Sequence, residues 1–203
     1  MCRSGSRTAN RLRSCAMTPI PSLPRISVLI SRRLRAHAAR MDHPLTTTRH
    51  GHRSLRHGRF SLPGQYYHII ACTAGRRGIF ANLNCGREVV RSLQRLQAEH
   101  VARSMAFVVM PDHLHWLMQL QERKTLPVCV ASMKSFAARS IIANYPCRGP
   151  IWQKGYMDRA IRREEDLLTV ARYIVANPLR AGMVENIGEY PLWDSVWMDD
   201  PGL

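Results

Sequence analysis

The stretch that most limits how this chain can fold is residues 104–120, SMAFVVMPDHLHWLMQL, two apolar runs separated only by Pro111 and Asp112. A tight Pro-Asp connection turns the second run back along the first, so the two form an antiparallel pair of strands. Side chains alternate along a strand. His113 and His115 therefore leave one face about 6–7 Å apart, while Leu114 and Trp116 leave the other. Two imidazoles so placed can share one metal ion, but polar groups satisfied at a sheet edge have the same spacing, and the spacing alone leaves both readings open.

The patterning on either side extends this pair into a fold. GQYYHIIACTA (64–74) is rich in β-branched and aromatic residues and bounded by Pro63-Gly64 and Gly75, which predicts a strand. NCGREVVRSLQRLQAEHVAR (84–103) sets Val89, Leu93, Leu96 and Val101 near a helical stripe. LPVCVASMKSFAARSIIANY (126–145) predicts a second helix opening at Pro127 and stopping before Pro146. IWQKGYMDRAIR (151–162) is a fourth strand, and EEDLLTVARYIVAN (164–177) a third helix, acidic at its start and halted by Pro178. The order β-α-β-β-α-β-α predicts an α+β, ferredoxin-like fold, one antiparallel sheet with helices on a single face.

Charge narrows the partners. Thirty Lys and Arg against 14 Asp and Glu give +16, which suits a polyanion such as DNA. The excess is concentrated in the first 60 residues, with thirteen arginines, no lysine and one acid, Asp42; the remainder is only mildly basic. Residues 1–58 show no sustained period and are expected to be a disordered Arg-rich tail or a mis-assigned start, with the true start at Met41 or Met17, followed by a catalytic domain over 59–197 and a short tail over 198–203. The six cysteines form no C-x-x-C pair, so neither a zinc knuckle nor a disulfide framework is expected, and a reducing cytoplasm is the default. No apolar stretch looks long enough for a bilayer, so no membrane partner is expected.

In ARYIVANPLRAG, Tyr173 and Asn177 are four residues apart and share one helical face. Alone, that spacing equally describes a packed tyrosine and a helix-ending asparagine. Joined in order, however, RFSLPGQYYHII, VVMPDHLHWLMQ, IWQKGYMDRAIR and ARYIVANPLRAGMV resemble the REP-associated tyrosine transposases, a branch of the single-tyrosine, His-hydrophobe-His (HUH) transposases and single-strand nucleases. The resemblance covers residues 59–197. It implies that His113 and His115 are paired metal ligands, that Tyr173 is the nucleophile, and that Asn177 stands where related enzymes, often with Gln, place a third ligand to Mg²⁺ or Mn²⁺.

What the resemblance implies chemically is cleavage of single-stranded or hairpin DNA from repetitive extragenic palindromes through a 5′-phosphotyrosine, followed by strand transfer. The protein would be a cytoplasmic, nucleoid-associated monomer or homodimer. Such a ligand needs cations and stacking platforms. Arg76, Arg77, Arg159, Arg162, Arg163, Arg172 and Arg180 are the candidate phosphate partners, and Trp152, Tyr66 and Tyr67 the candidate stacking surfaces. Two other functions compete: a domesticated hairpin-binding protein that no longer nicks, against which the intact His113, His115 and Tyr173 speak, and a metal-dependent hydrolase with no covalent step.

Overall fold

The alternating burial of β1 (Tyr66–Cys72) sets the two faces of the sheet: Tyr67, Ile69 and Ala71 are buried, while Tyr66, His68, Ile70 and Cys72 are only partly covered. In the computed structural model, which describes residues 61–162 and 165–198, this strand lies antiparallel to both neighbours in a five-stranded sheet. The other strands are β2 (Ala102–Met110), β3 (His113–Leu120), β4 (Met157–Ile161) and β5 (Trp193–Ser195), in the order β4-β1-β3-β2-β5. The expected α+β architecture and the β2–β3 pair are both present, with Pro111 and Asp112 alone between Met110 and its partner His113. Both expected tails fall mainly on residues 1–60 and 199–203, outside the described residues.

Helix α1 (Leu83–Ala98) begins where the Asn82 side chain accepts from the backbone of Asn84 and Cys85, satisfying two of the orphan N–H groups of a first turn. It stops five residues before the sequence pattern suggests. His100 adopts φ 52, and the bonds Val101 N→Leu96 O and His100 N→Gln97 O close a Schellman turn that feeds β2. Helix α2 (Leu126–Asn144) ends at Tyr145, which is extended because it precedes Pro146. Helices α3 (Glu165–Val175) and α4 (Asn177–Arg180) follow β4. Pro178 does not halt a helix, as the sequence suggests, but sits in the first turn of α4, where its missing N–H costs nothing.

One face of the sheet carries Tyr67, Ile69, Ala71, Leu114, Trp116 and Met118, all at most 3% exposed and packed in one core with Val89, Leu93 and Leu96 of α1 and Met133, Ala137 and Ile141 of α2. Removing each large side chain from water contributes about 1.5–3 kcal/mol. The opposite face, with His68, His113 and His115, meets α3 through Tyr173. The helices thus divide between the two faces and do not lie on the single face the sequence predicts, because α3 is apolar enough on its Leu167, Ala171 and Ile174 side to cover a second surface.

The short strand β5 has no periodic signature; it is held by its ladder to β2 and by Tyr190, whose hydroxyl donates to Val109 O at 2.8 Å. And α2, at 19 residues, is long and apolar enough to span a membrane by length and composition, contrary to the expectation that no stretch is. Its buried residues, Leu126, Cys129, Val130, Met133, Ala137 and Ile141, recur at three- and four-residue intervals, the stripe of a core helix.

Candidate active site

His113 and His115 stand on β3, the middle strand of the five, with β1 and β2 bonded on either side. The sheet-edge reading of the pair is thereby removed. Their Nε2 atoms are 3.1 Å apart and their rings meet edge to face. Each ring has a partner at its other nitrogen. Asp112 Oδ1 lies 2.5 Å from His113 Nδ1, and Asp112 Oδ2 is 3.0 Å from Arg76 Nε. His68, from β1, places its Nε2 3.1 Å from His115 Nδ1, with the two rings stacked at 5.3 Å between centroids.

The turn that carries Arg76 is itself tied to the β2–β3 turn. Buried Thr73 directs its hydroxyl at Arg77 O (2.7 Å) and Asp112 O (3.0 Å), and its N–H donates to Asp112 O. Arg76 takes the left-handed φ of 55, uncommon for a side chain of this size, and its guanidinium reaches both Asp112 and Cys72 Sγ.

Proton placement follows from these partners. A carboxylate only accepts, so His113 Nδ1 carries hydrogen, and in the neutral ring that tautomer leaves the Nε2 lone pair turned toward His115. Burial, with the charges of His68, His113, Arg180 and Arg76, pushes His115 down to about 2, and burial with nearby Arg159 pushes His68 down to about 4. Both are neutral at neutral pH, the form in which imidazole binds a metal. The donor pair also fits a small divalent cation, because ligands about 2.1 Å from an octahedral centre and at right angles are about 3 Å apart. Among the described residues, no group of three or more His, Cys, Asp or Glu side chains is arranged to hold a metal. The two imidazoles therefore need oxygen ligands of another kind.

Tyr173, in the last turn of α3, comes edge-on to both His115 (6.3 Å between centroids) and His68 (6.5 Å), and is 37% exposed. Arg180 from α4 lies over its ring at 4.2 Å, with one Nη 3.4 Å from the hydroxyl. Asn177 donates through its amide nitrogen to Tyr173 O (3.0 Å) and Ile174 O (2.9 Å), so the side chain closes the end of α3 and only its Oδ1 is left for any ligand.

The arginines divide. Arg76, Arg159 and Arg180 are near enough to act on the charge state of His68 or His115. Arg77 instead donates to the carbonyls of Ala74 (3.2 Å), Arg148 (2.8 Å) and Pro150, pinning one loop to another. Arg162 follows the far end of β4, Arg172 is half-buried on α3, and Arg163 lies outside the described residues. Trp152 packs on Phe80 and donates to Lys134 O, and Tyr67 is buried with its hydroxyl accepting from Leu62 N, so both rings serve packing. His68 and Asp112 escape the sequence reading. Asp112 reads there as a turn residue, and the only local sign of His68 is a histidine placed in an otherwise apolar strand.

Comparison with known proteins gives a family and a fold. A family profile described as "Transposase IS200 like" matches residues 61–177, a span that holds His68, both β3 histidines, Tyr173 and Asn177. A Haemophilus influenzae protein that carries the name of a REP-associated tyrosine transposase is 30% identical over 114 residues, covering 50% of this chain; the chain spans 64% of that relative's length. A solved REP-associated tyrosine transposase bound to a REP hairpin superposes with a TM-score of 0.57 over 68% of this chain and 81% of that one, at 18% identity, a likeness of fold.

Proposed function

The chain belongs to the IS200-like transposase family, and from that premise we propose that it cleaves and rejoins single-stranded DNA through a covalent bond to Tyr173. The observation that carries the proposal is the convergence of Tyr173, the His113–His115 pair and Arg180 on one face of the sheet. A phenol with a reference pKa of about 10 is a weak nucleophile, so the reaction needs charge stabilisation around the phosphate.

His113 Nε2, His115 Nε2 and the Asn177 Oδ1 would hold Mg²⁺ or Mn²⁺, which when bound supplies Lewis-acid polarisation of a phosphate oxygen. Tyr173 Oη attacks the phosphorus and the P–O3′ bond breaks. This leaves a 5′-phosphotyrosine and a 3′-hydroxyl, the phenol's proton passing to the departing oxygen by way of solvent. Reversal by a second 3′-hydroxyl transfers the strand without hydrolysis. Arg180 orients the phenol and, with Arg76 and Arg159, neutralises the phosphates at the site. The REP hairpin held by the structural relative supports hairpin-forming palindromic DNA as the substrate, handled in the cytoplasm at the nucleoid by a monomer or homodimer.

The test is denaturing-gel trapping on a hairpin oligonucleotide labelled at its 3′ end, so that the label stays with the tyrosine. Wild type is expected to form a metal-dependent adduct that Tyr173→Phe abolishes while hairpin affinity stays within a few-fold. An adduct in Tyr173→Phe, or undiminished cutting in excess EDTA, would overturn the mechanism. Hairpin binding with no adduct under any metal would return the non-nicking binder.

A further inference from the structure

We propose that His68 is a positioning residue of the metal site, holding His115 in the tautomer that a cation requires. The proposal rests on the metal reading above and concerns a residue that reading does not use. His68 projects from β1 on the same face as the two β3 histidines; in the register it faces Leu117, two residues along from His115. Its Nε2 meets His115 Nδ1 at 3.1 Å, on the side of that ring turned away from His113.

The hydrogen-bond chain Asp112–His113–His115–His68 has a definite proton count. With Asp112 accepting, His113 Nδ1 is protonated, and one hydrogen occupies the space between the two Nε2 atoms, contributed by His115. His115 Nδ1 is then an acceptor and His68 Nε2 its donor. A cation between the two Nε2 atoms requires a lone pair on both, so His115 must carry its hydrogen at Nδ1 and hand it toward an acceptor. His68 Nε2 becomes that acceptor by moving its own hydrogen to Nδ1. Neutral His68 serves in either state, which a permanent donor such as lysine could not do. Outer partners of this kind fix ring orientation and ligand basicity, and their loss typically lowers metal affinity about 10–100-fold. Because the His68 ring also meets Tyr173 edge-on at 6.5 Å, it helps set the distance between ligand and nucleophile.

The experiment is Mn²⁺ binding by full-length protein without DNA, read from the EPR signal of free Mn²⁺, for wild type, His68→Phe and His68→Gln. Melting in EDTA checks the fold of each. His68→Phe is expected to bind at least tenfold more weakly, and His68→Gln, whose amide reaches the Nε2 position and both donates and accepts, within about threefold of wild type. In wild type loaded with Mg²⁺, ¹⁵N-histidine NMR should find His115 and His68 both protonated at Nδ1, a measurement that stands even if His68→Phe does not fold. Wild-type affinity in a folded His68→Phe, equal weakening in both variants, or an Nε2-protonated His115 in the loaded protein would overturn the role of His68. No Mn²⁺ binding by wild type would instead overturn the metal reading, and His68's role with it.

Discussion

Arg180 lies over the ring of Tyr173, its guanidinium carbon 4.2 Å from the centroid and one Nη 3.4 Å from the hydroxyl. The two residues come from consecutive helices, but Ala176 between α3 and α4 keeps a helical backbone and its N–H bonds to Arg172 O, so Arg180, seven residues or about two turns on, returns to the face of the tyrosine. A cation over an exposed ring contributes about 0.5–1 kcal/mol, enough to bias the tyrosine toward one rotamer. Arg180→Met is expected to lower the rate of adduct formation at least tenfold, with Arg180→Lys intermediate because a point charge lacks the planar fork. Single-turnover trapping beside gel-shift titration checks this; equal losses in binding and chemistry would make Arg180 only a DNA contact.

Asp112 bridges Arg76 and His113, so under the proposed metal reading it would orient the His113 ring as His68 would orient His115. Asp112→Ala should raise the Mn²⁺ concentration needed for half-maximal cleavage about tenfold, with maximal cleavage largely recovered at high Mn²⁺. Asp112→Asn keeps an acceptor and should lose less. A metal titration of nicking for the three proteins decides it, and identical curves would leave Asp112 as a turn residue.

The histidine pair was legible because strand alternation is local: four residues of context suffice to put His113 and His115 on one face. That Tyr173 stands beside the pair is suggested in the sequence only through the order of four motifs. What the sequence concealed depends on register and on contacts between distant segments. His68 is 47 residues from His115, and only the β1–β3 pairing makes them neighbours. Arg77 reads in the sequence only as a candidate phosphate partner, and nothing local shows that the carbonyls of Arg148 and Pro150, more than 70 residues away, take two of its five N–H donors. The strand β5 is three residues long, too short for any periodicity to mark it.

Ser104 tests the other face. Its hydroxyl accepts from Trp116 Nε1 at 3.0 Å, and both side chains are buried, at 2% and 0% exposure. Ser104→Ala leaves the indole N–H without that acceptor, at a cost of about 1–3 kcal/mol. Because the site is on the opposite face, metal affinity should be unchanged at temperatures where the protein is folded. Urea unfolding gives the first quantity and Mn²⁺ titration the second. A loss under about 0.5 kcal/mol would mean the indole finds another acceptor.

The buried imidazoles should make stability fall on the acid side. His115 and His68 are held down to about 2 and about 4 in the folded protein, chiefly by burial, against about 6.5 when unfolded. Below pH 6.5 the unfolded chain takes up protons at both sites that the folded chain refuses, so acid favours unfolding. Each such proton steepens the loss by up to about 1.4 kcal/mol per pH unit. The contribution is therefore fully present above pH 6.5 and is lost progressively as the pH falls toward 4, where folded His68 begins to protonate; the His115 share continues to fall below that. Urea unfolding in EDTA at pH 7.5, 6.5, 5.5 and 4.5 should give nearly level stability between the first two and a decline across the rest, and the double variant His68→Gln/His115→Gln should flatten the decline. Added Mn²⁺ should raise stability most at pH 7.5 and progressively less in acid, because the cation binds only the neutral rings. A wild type whose stability holds level from pH 7.5 to 4.5 would show that these two imidazoles are not kept neutral by the fold.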